Sequence, residues 1–311
     1  MVGFNLKSGK GDIMKKYICI DIGGTAIKHS VIKENGEIIT MSQIDTEASK
    51  GGLSILEKAK NIIRNYITEH KVEGICVSTA GMVDPKEGKI VYASSLIPNY
   101  TGVEIKKELE KEFDIPCEVE NDVNCAGLGE YWLGAAKDSH SCVCLTIGTG
   151  IGGCVIINGK VIHGFSNSAG EVGYMLINGC AFQDIAATSK LVEKVAIRKN
   201  LSKDSINGKI IFDLAKKGDV DCIEEIDNLV DNLALGISYI VYVINPEVVV
   251  LGGGIMAQKE YLYDKIRNSL DKNLIPFIAE KTKLKFAVHK NNAGMLGAYF
   301  NYKNMQKNRG F

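Results

Sequence analysis

After a polar opening, the first apolar run is Tyr17 to Asp21 (YICID), a short strand pattern that ends in a carboxylate. Gly23, Gly24 and Thr25 follow, and Ala26 to Ile32 reads as a second strand. Asn35-Gly36 is a hairpin-turn pair, because both central residues of such a turn take positive φ, and Glu37 to Met41 supplies a third strand. Between Ser54 and Glu69 the apolar positions Ile55, Leu56, Ala59, Ile62, Ile63 and Tyr66 recur at helical spacing. Gly74 to Ser78 (GICVS) reads as a buried strand. Pro116 to Glu120 is a further short strand, and Cys125 to Leu133 a helical run.

The pattern then recurs. Cys142 to Ile147 (CVCLTI) is an apolar strand that runs into Gly148-Thr149-Gly150 and Gly152-Gly153. Cys154 to Ile157 is a second strand, Asn158-Gly159 a second hairpin turn, and Lys160 to His163 opens a third. Helical patterns follow at Thr188 to Arg198, Ile206 to Lys217 and Cys222 to Ile244. Glu247 to Leu251 (EVVVL) reads as a buried strand before Gly252-Gly253-Gly254, and Gly294 to Lys303 as a last helix. Strands alternating with helices predict an α/β protein. The repeated opening of strand, Gly/Thr turn, strand, Asn-Gly turn and strand predicts two similar halves. A ligand is expected in the crevice beyond the strand ends, between those halves.

Composition narrows the function. The 311 residues are enough for two domains. Lys+Arg and Asp+Glu both number 37, so no overall field draws the chain to nucleic acid or to an anionic membrane. No apolar run reaches the ~18 residues of a membrane helix. Residues 1–16 lack the apolar core of a signal peptide and read as a loose extension, with Met14 a candidate start. The cytosol is the expected compartment. The nine cysteines form no C-x-x-C pair and are expected to be reduced and buried, with Cys142 and Cys144 on one sheet face.

Five segments carry candidate chemistry. In Asp21-Ile22-Gly23-Gly24-Thr25-Ala26-Ile27-Lys28, a strand-end carboxylate is suited to hold Mg²⁺ through water. The glycines let backbone amides approach phosphate oxygens. A plain glycine hairpin is the other reading of the segment taken alone. Thr146-Ile147-Gly148-Thr149-Gly150-Ile151-Gly152-Gly153 repeats the same logic, and a nucleotide gripped from both sides explains the pair better than two ornamental hairpins. Leu251-Gly252-Gly253-Gly254-Ile255 offers a flat backbone surface for an adenosine, or else a tight strand-to-helix link. In Glu120-Asn121-Asp122-Val123-Asn124, Asp122 is placed to accept the proton of an attacking hydroxyl, and Asn121 and Asn124 offer donors and acceptors to a polyol. A helix N-cap is the plainer role, above all for Asn124. Glu171, in Ala169-Gly170-Glu171-Val172-Gly173-Tyr174, is a further acceptor for sugar hydroxyls.

Together these segments resemble the ROK family of sugar kinases, within the actin-like, ribonuclease-H-like fold group, from about Tyr17 to Tyr302. DIGGT at Asp21–Thr25 resembles the family's first phosphate loop, and TIGTGIGG at Thr146–Gly153 its second. ENDVN at Glu120–Asn124 resembles its catalytic segment. The resemblance implies Asp122 as base, with Gly81, Asn99, Asn121 and Glu171 at the sugar. It implies Asp21, Gly23, Gly24, Thr25, Lys28, Thr146, Gly148, Thr149, Gly150, Gly253 and Gly254 at the nucleotide. It further implies transfer of the γ-phosphoryl of ATP to a hexose 6-hydroxyl with Mg²⁺, and a homodimer.

One departure matters. Tyr174 stands where most of the family has a His, only Cys180 remains of a cysteine-rich zinc cluster, and Gln183 stands about where a second sugar-binding Glu is expected, so that Tyr174 and Gln183 too are expected at the sugar. One thiolate cannot build a four-ligand zinc site, so no structural zinc is expected, and packing of Tyr174 and Phe182 is expected to hold the loop. The zinc-less subgroup it resembles includes N-acetylmannosamine kinases and β-glucoside kinases. STAGMVDP (Ser78–Pro85), IPNYTG (Ile97–Gly102) and HGFSNSAGEVGYM (His163–Met175) are most similar to the former, which ranks glucose or a β-glucoside second. The expected organisation is a small domain of 17–122 to which the 291–311 helix returns, and a large domain of 123–290. Three other classes fit these residues less well. A sugar-sensing transcription regulator would need a helix-turn-helix ahead of Asp21, where about twenty residues show no helical pattern. A non-catalytic sensor sits poorly with Asp122 and two intact loops. A filament-forming or chaperone-like ATPase leaves ENDVN unexplained.

Overall fold

A computed structural model describes residues 14–308. Residues 1–13 of the expected N-terminal extension, and 309–311 of the returning helix, lie outside the described residues. Strand β1 (Lys16–Ile22) begins inside the expected extension and pairs antiparallel with β2 (Ala26–Lys33), which pairs with β3 (Ile38–Asp45). Helix α1 (Gly52–Glu69) leads to β4 (Gly74–Thr79), parallel to β1. A small hairpin of β5 (Met82–Asp84) and β6 (Lys89–Tyr92) follows, then α2 (Ile105–Phe113) and β7 (Cys117–Asn121), parallel to β4. The sheet order is β3-β2-β1-β4-β7. Helix α1 forms because Ile55, Leu56, Ala59, Ile62 and Ile63 share one face, which buries against Ile18, Ile20, Ile75 and Val77 of the sheet.

Helix α3 (Asp122–Leu133) links this sheet to the second, which opens with β8 (Ser141–Ile147), β9 (Ile151–Ile157) and β10 (Lys160–Val161). The turn between β9 and β10 has Asn158 at φ 51° and Gly159 at φ 76°, the two positive values such a hairpin needs. The hairpin of β11 (Leu176–Ile177) and β12 (Cys180–Ala181) and helices α4 (Phe182–Ala186), α5 (Thr188–Arg198), α6 (Gly208–Ala215) and α7 (Val220–Ile244) precede β13 (Val248–Gly252). Helices α8 (Lys259–Asn273) and α9 (Pro276–Lys281), strand β14 (Lys283–Phe286) and helix α10 (Ala293–Asn308) complete the chain. The order β10-β9-β8-β13-β14 repeats the plan of the first sheet, an antiparallel meander followed by two parallel strands. The repeat read from the two Gly/Thr turns is therefore a topological one.

Helices α3 and α10 lie as a packed pair between the sheets. Cys125 of α3 joins Tyr17, Cys19, Cys76, Met295 and Tyr299 on the first-sheet side, while Leu128 joins Cys142, Cys144, Cys154 and Val250 on the other. A helix buried on two sides is apolar nearly all round, as α3 is. Small residues allow the crossing: a Cβ on Gly297 would lie 1.7 Å from the Cys125 carbonyl oxygen, and one on Gly129 2.5 Å from that of Ala293. Eight cysteines are buried free thiols, and Cys180 is exposed.

Candidate active site

The parallel strands of the first sheet each bring a motif residue to their C-terminal ends. Asp21 stands near the end of β1, Ser78 near that of β4, and Glu120 and Asn121 close β7. Asn121 caps α3: its Oδ1 accepts from Val123 N (2.9 Å) and Asn124 N (3.0 Å). Its Nδ2 donates to the Gly81 carbonyl (2.9 Å) and to Asp122 Oδ1 (3.0 Å). Thus the capping role expected of Asn124 falls to Asn121, and Asn124 Nδ2 instead donates to Glu120 Oε1 (3.0 Å).

Asp122 opens the helix, its carboxylate also accepting from Val123 N at 2.9 Å. Burial, then the nearby Asp21 carboxylate, push its pKa up to about 7, against the hydrogen bond from Val123 N–H, with Glu171 adding to the rise. A carboxylate poised near neutrality suits a general base. Burial likewise raises Glu171. It raises Asp21 too, although Ser78 Oγ donates to Asp21 Oδ1 at 2.6 Å and the Lys28 charge, from the paired position on β2, pulls the other way. Gly294, at the start of α10, backs the same carboxylate, since a Cβ there would lie 2.8 Å from both its oxygens.

A first cavity of about 220 Å³ is lined by Gly81, Asn121, Asp122, Glu171 and Tyr174 among the expected residues, and also by Tyr92, Ser94 and Asn167. Asn99 does not line it. It takes φ 54° in the turn after Pro98, and its carbonyl packs over Gly52 at the start of α1. Gln183 does not line it either. Its Oε1 is wedged between Gly150 and Gly173, 2.8 Å and 3.1 Å from where their Cβ atoms would be. Tyr174 is 58 % exposed at the cavity mouth, so it does not pack the loop in place. Phe182 does: it is fully buried and fills the space over Gly236.

A second cavity of about 320 Å³ is lined by Thr146, Leu251, Gly253, Gly254, Met256 and Glu130. Gly253 has φ 108°, and a Cβ would sit 2.1 Å from the Ile147 carbonyl oxygen, so the chain leaving β13 can pass the end of β8 only as glycine. Glu130 holds the far wall, accepting from Val288 N (2.9 Å) and His289 N (2.7 Å) with Oε1 and from Ala135 N (2.8 Å) with Oε2. Of the two phosphate-loop candidates, only Thr146 lines this cavity; Gly23–Thr25 and Gly148–Gly150 lie outside its lining, each loop braced from elsewhere. Thr46 Oγ1 donates to the Gly23 carbonyl (2.7 Å) and Thr46 N to that of Thr25 (2.9 Å). Ser189 Oγ donates to the Thr149 carbonyl (2.6 Å), and Gly148 N to that of Gly150 (2.9 Å). Cβ atoms on Gly24, Gly148 and Gly254 would meet nothing within 4 Å, so the backbone at each is open to approach. Gly152 separates the cavities: its Cβ would lie 2.5 Å from Val123 Cγ2 and 3.0 Å from Thr146 Oγ1. The roomier recess of about 650 Å³ between α8, α9 and β14 holds none of the motif residues.

Mg²⁺ fits this donor set. It favours one or two carboxylates completed by water and phosphate oxygens. Asp21 is a carboxylate whose charge burial disfavours, at the head of the first glycine loop, and a divalent cation would relieve that cost. Among the described residues, no cluster of three or more His, Cys, Asp and Glu side chains gathers to hold an ion without such help.

The sequence profile of the ROK family matches residues 17–304. The chain belongs to the ROK family. It is 32% identical to a β-glucoside kinase of Listeria monocytogenes, over 92% of this chain and 97% of that protein. The fold superposes on that of a Listeria monocytogenes protein named as a proposed N-acetylmannosamine kinase, with TM-score 0.84, 31% identity, and 94% and 99% of the chains covered. A ROK family glucokinase from Streptomyces griseus, solved with glucose and AMPPNP, matches at TM-score 0.79 and 27% identity over 91% and 98%. This ROK protein is therefore a sugar kinase on the actin-like fold, with a sugar and ATP as its small-molecule partners. Among the described residues, no helix is long and apolar enough to cross a membrane.

Proposed function

We propose that this kinase transfers the γ-phosphoryl group of ATP to the 6-hydroxyl of N-acetylmannosamine. The observation that carries the transfer is Asp122, a carboxylate with pKa raised to about 7, fixed by Asn121 beside the thin wall between the two cavities. The first cavity takes the sugar and the second the adenosine. Asp122 accepts the proton of the sugar hydroxyl, the freed oxygen pair forms the new P–O bond, and the bond from the γ-phosphorus to the β–γ bridging oxygen breaks to release ADP. Asp21 would be the residue to hold Mg²⁺, which would supply charge neutralisation on the phosphates. Amides of Gly23–Thr25 and Gly148–Gly150 cradle the same groups, and closure of the two halves excludes water.

The substrate ranking has its own support. Ala80, Met82 and Ala93 form a small apolar wall next to Ser94 and Asn167, the mixture an acetamido methyl and amide would use. The segments His163–Met175 and Ser78–Pro85 carry the same ranking by resemblance. A β-glucoside is the second reading, favoured by the name of the Listeria relative and by Tyr92 and Tyr174, 52 % and 58 % exposed at the mouth, where an aglycone would stack. Comparing kcat/KM for N-acetylmannosamine, N-acetylglucosamine, glucose and a β-glucoside decides. Preference for any of the last three overturns the ranking and leaves the mechanism standing.

The remaining parts of this reading are a cytosolic homodimer whose halves, 17–122 with 291–311 and 123–290, hinge near α3. The α7 residues Tyr239, Tyr242 and Val243 are exposed enough to serve as a contact, and sedimentation of the purified protein tests it.

A further inference from the structure

The residue that follows the β9–β10 hairpin, His163, is used by nothing above, yet it reaches across the cleft. Its Nε2 lies 2.7 Å from Glu120 Oε2. Glu120 is fully buried at the end of β7 in the first sheet, whereas His163 lies in the loop two residues past β10 of the second. The other Glu120 oxygen accepts from Asn121 N (2.8 Å) and Asn124 Nδ2 (3.0 Å), the backbone and side chain that flank Asp122. The carbonyl of His163 accepts from Ala169 N (3.0 Å), which closes the loop 163–169 on itself. That loop delivers Asn167, Ala169 and Glu171 to the first cavity.

We propose that the Glu120–His163 pair is a strap that sets the sugar loop against the catalytic segment, with His163 a positioning residue for sugar binding. The proposal rests on the reading of the first cavity as the sugar site. One buried carboxylate divides its oxygens between the two walls of that cavity, so neither wall shifts without leaving a buried acceptor unmatched, which is costly. Among the described residues, this is the one side-chain hydrogen bond that ties the loop to the first sheet. Charge strengthens it. Burial pulls the His163 pKa down, but the hydrogen bond and charge of Glu120, with Asp84, outweigh that and leave it raised, which favours the imidazolium form. The strap also answers what holds a loop that Tyr174 leaves unpacked: Phe182 fixes its far end and His163 its near end.

The test compares His163→Gln, whose amide reaches the Nε2 position, with His163→Asn, which is too short, and with His163→Ala. Two readouts are taken on the whole protein: hydrogen exchange over 162–171 without any ligand, and KM for sugar and for ATP. The strap predicts faster exchange confined to 162–171 in the Asn and Ala variants. It also predicts a sugar KM raised about ten- to a hundredfold with ATP KM unchanged, and near-complete rescue by His163→Gln. Exchange needs no sugar, so it reads the strap even if the cavity takes some other ligand, and absence of any sugar-dependent ADP release in the unmodified protein would sink only the functional reading. Equal behaviour of the Gln and Asn variants overturns the strap. So does exchange that rises across the whole chain with both KM values, which would make His163 a general packing residue. Should His163→Ala fail to fold, the Gln and Asn pair decides alone.

Discussion

Gly297→Ala puts the helix pair that carries the catalytic base under direct strain. The added Cβ would lie 1.7 Å from the Cys125 carbonyl oxygen and 2.9 Å from Cys125 Cα, and both are backbone atoms that no rotamer change can move aside. Real Cβ atoms essentially never come within 3.0 Å, so α10 and α3 must part. Overpacking of a close-packed core costs roughly 1–3 kcal/mol, and a backbone clash this deep belongs at the top, about 3 kcal/mol. With an unfolding entropy near 2 cal/mol/K per residue over the chain, that lowers Tm by about 5 °C. Because α3 begins at Asp122, a shift of ~1 Å at the crossing should also lower kcat/KM about a hundredfold. Gly254→Ala is the matched control: its Cβ meets nothing within 4 Å, so Tm should hold. Thermal unfolding followed by circular dichroism, with turnover on the same samples, checks both. A Gly297→Ala protein with unchanged Tm and turnover would refute the claim that the α3–α10 crossing is close-packed and sets the base.

Other outcomes follow from single groups. Gly254→Ala, stable as it is, should raise KM for ATP at least tenfold while leaving sugar KM alone, since its Cβ enters the second cavity. Glu130→Ala strips three backbone donors of their acceptor, at a cost of ~1–3 kcal/mol for each buried group left unpaired. It should raise ATP KM more than sugar KM, read by initial rates. As a base, Asp122 must be deprotonated, so kcat/KM should fall tenfold per pH unit below about 7 and level above it. The same shift has a stability consequence of fixed sign. The native state binds the Asp122 proton more tightly than the unfolded chain does, so its contribution is best below about pH 4 and is lost as pH rises through about 7. Asp122→Asn should therefore be more stable than the natural protein at pH 8, with the difference vanishing toward pH 4, measured by urea unfolding.

What could be read from the sequence was local and periodic. The spacing over 54–69 matched α1, and the Asn-Gly pairs marked both hairpins, because turn geometry and helix period are set by neighbouring residues, although in the first hairpin only Gly36 takes positive φ and the loop is one residue longer. ENDVN and the two Gly/Thr turns lie at strand ends, as their composition required. Helices α2 and α8 went unread, since Lys and Glu crowd them and few apolar positions mark their buried faces. Contacts between distant segments left less trace. Gln183 was expected at the sugar and instead braces Gly150, and Asn99 supports α1. Tyr92 and Ser94 reach the first cavity from a hairpin that has no motif of its own. Glu120 was visible only as part of a motif, and its partner His163, 43 residues on, only as a strand end. A buried Glu just ahead of a helix cap was the one available signal that a cation would be found opposite it.

The central claim is that Asp122 is the base of a sugar kinase, and its most direct measurement is sugar-dependent ADP release by Asp122→Asn beside the natural protein at pH 8 with saturating Mg-ATP. The account predicts robust release with N-acetylmannosamine in the natural protein, a loss of about 10²–10⁴-fold in kcat on substitution, and sugar binding retained by calorimetry. Turnover in Asp122→Asn within a few-fold of the natural protein would contradict it.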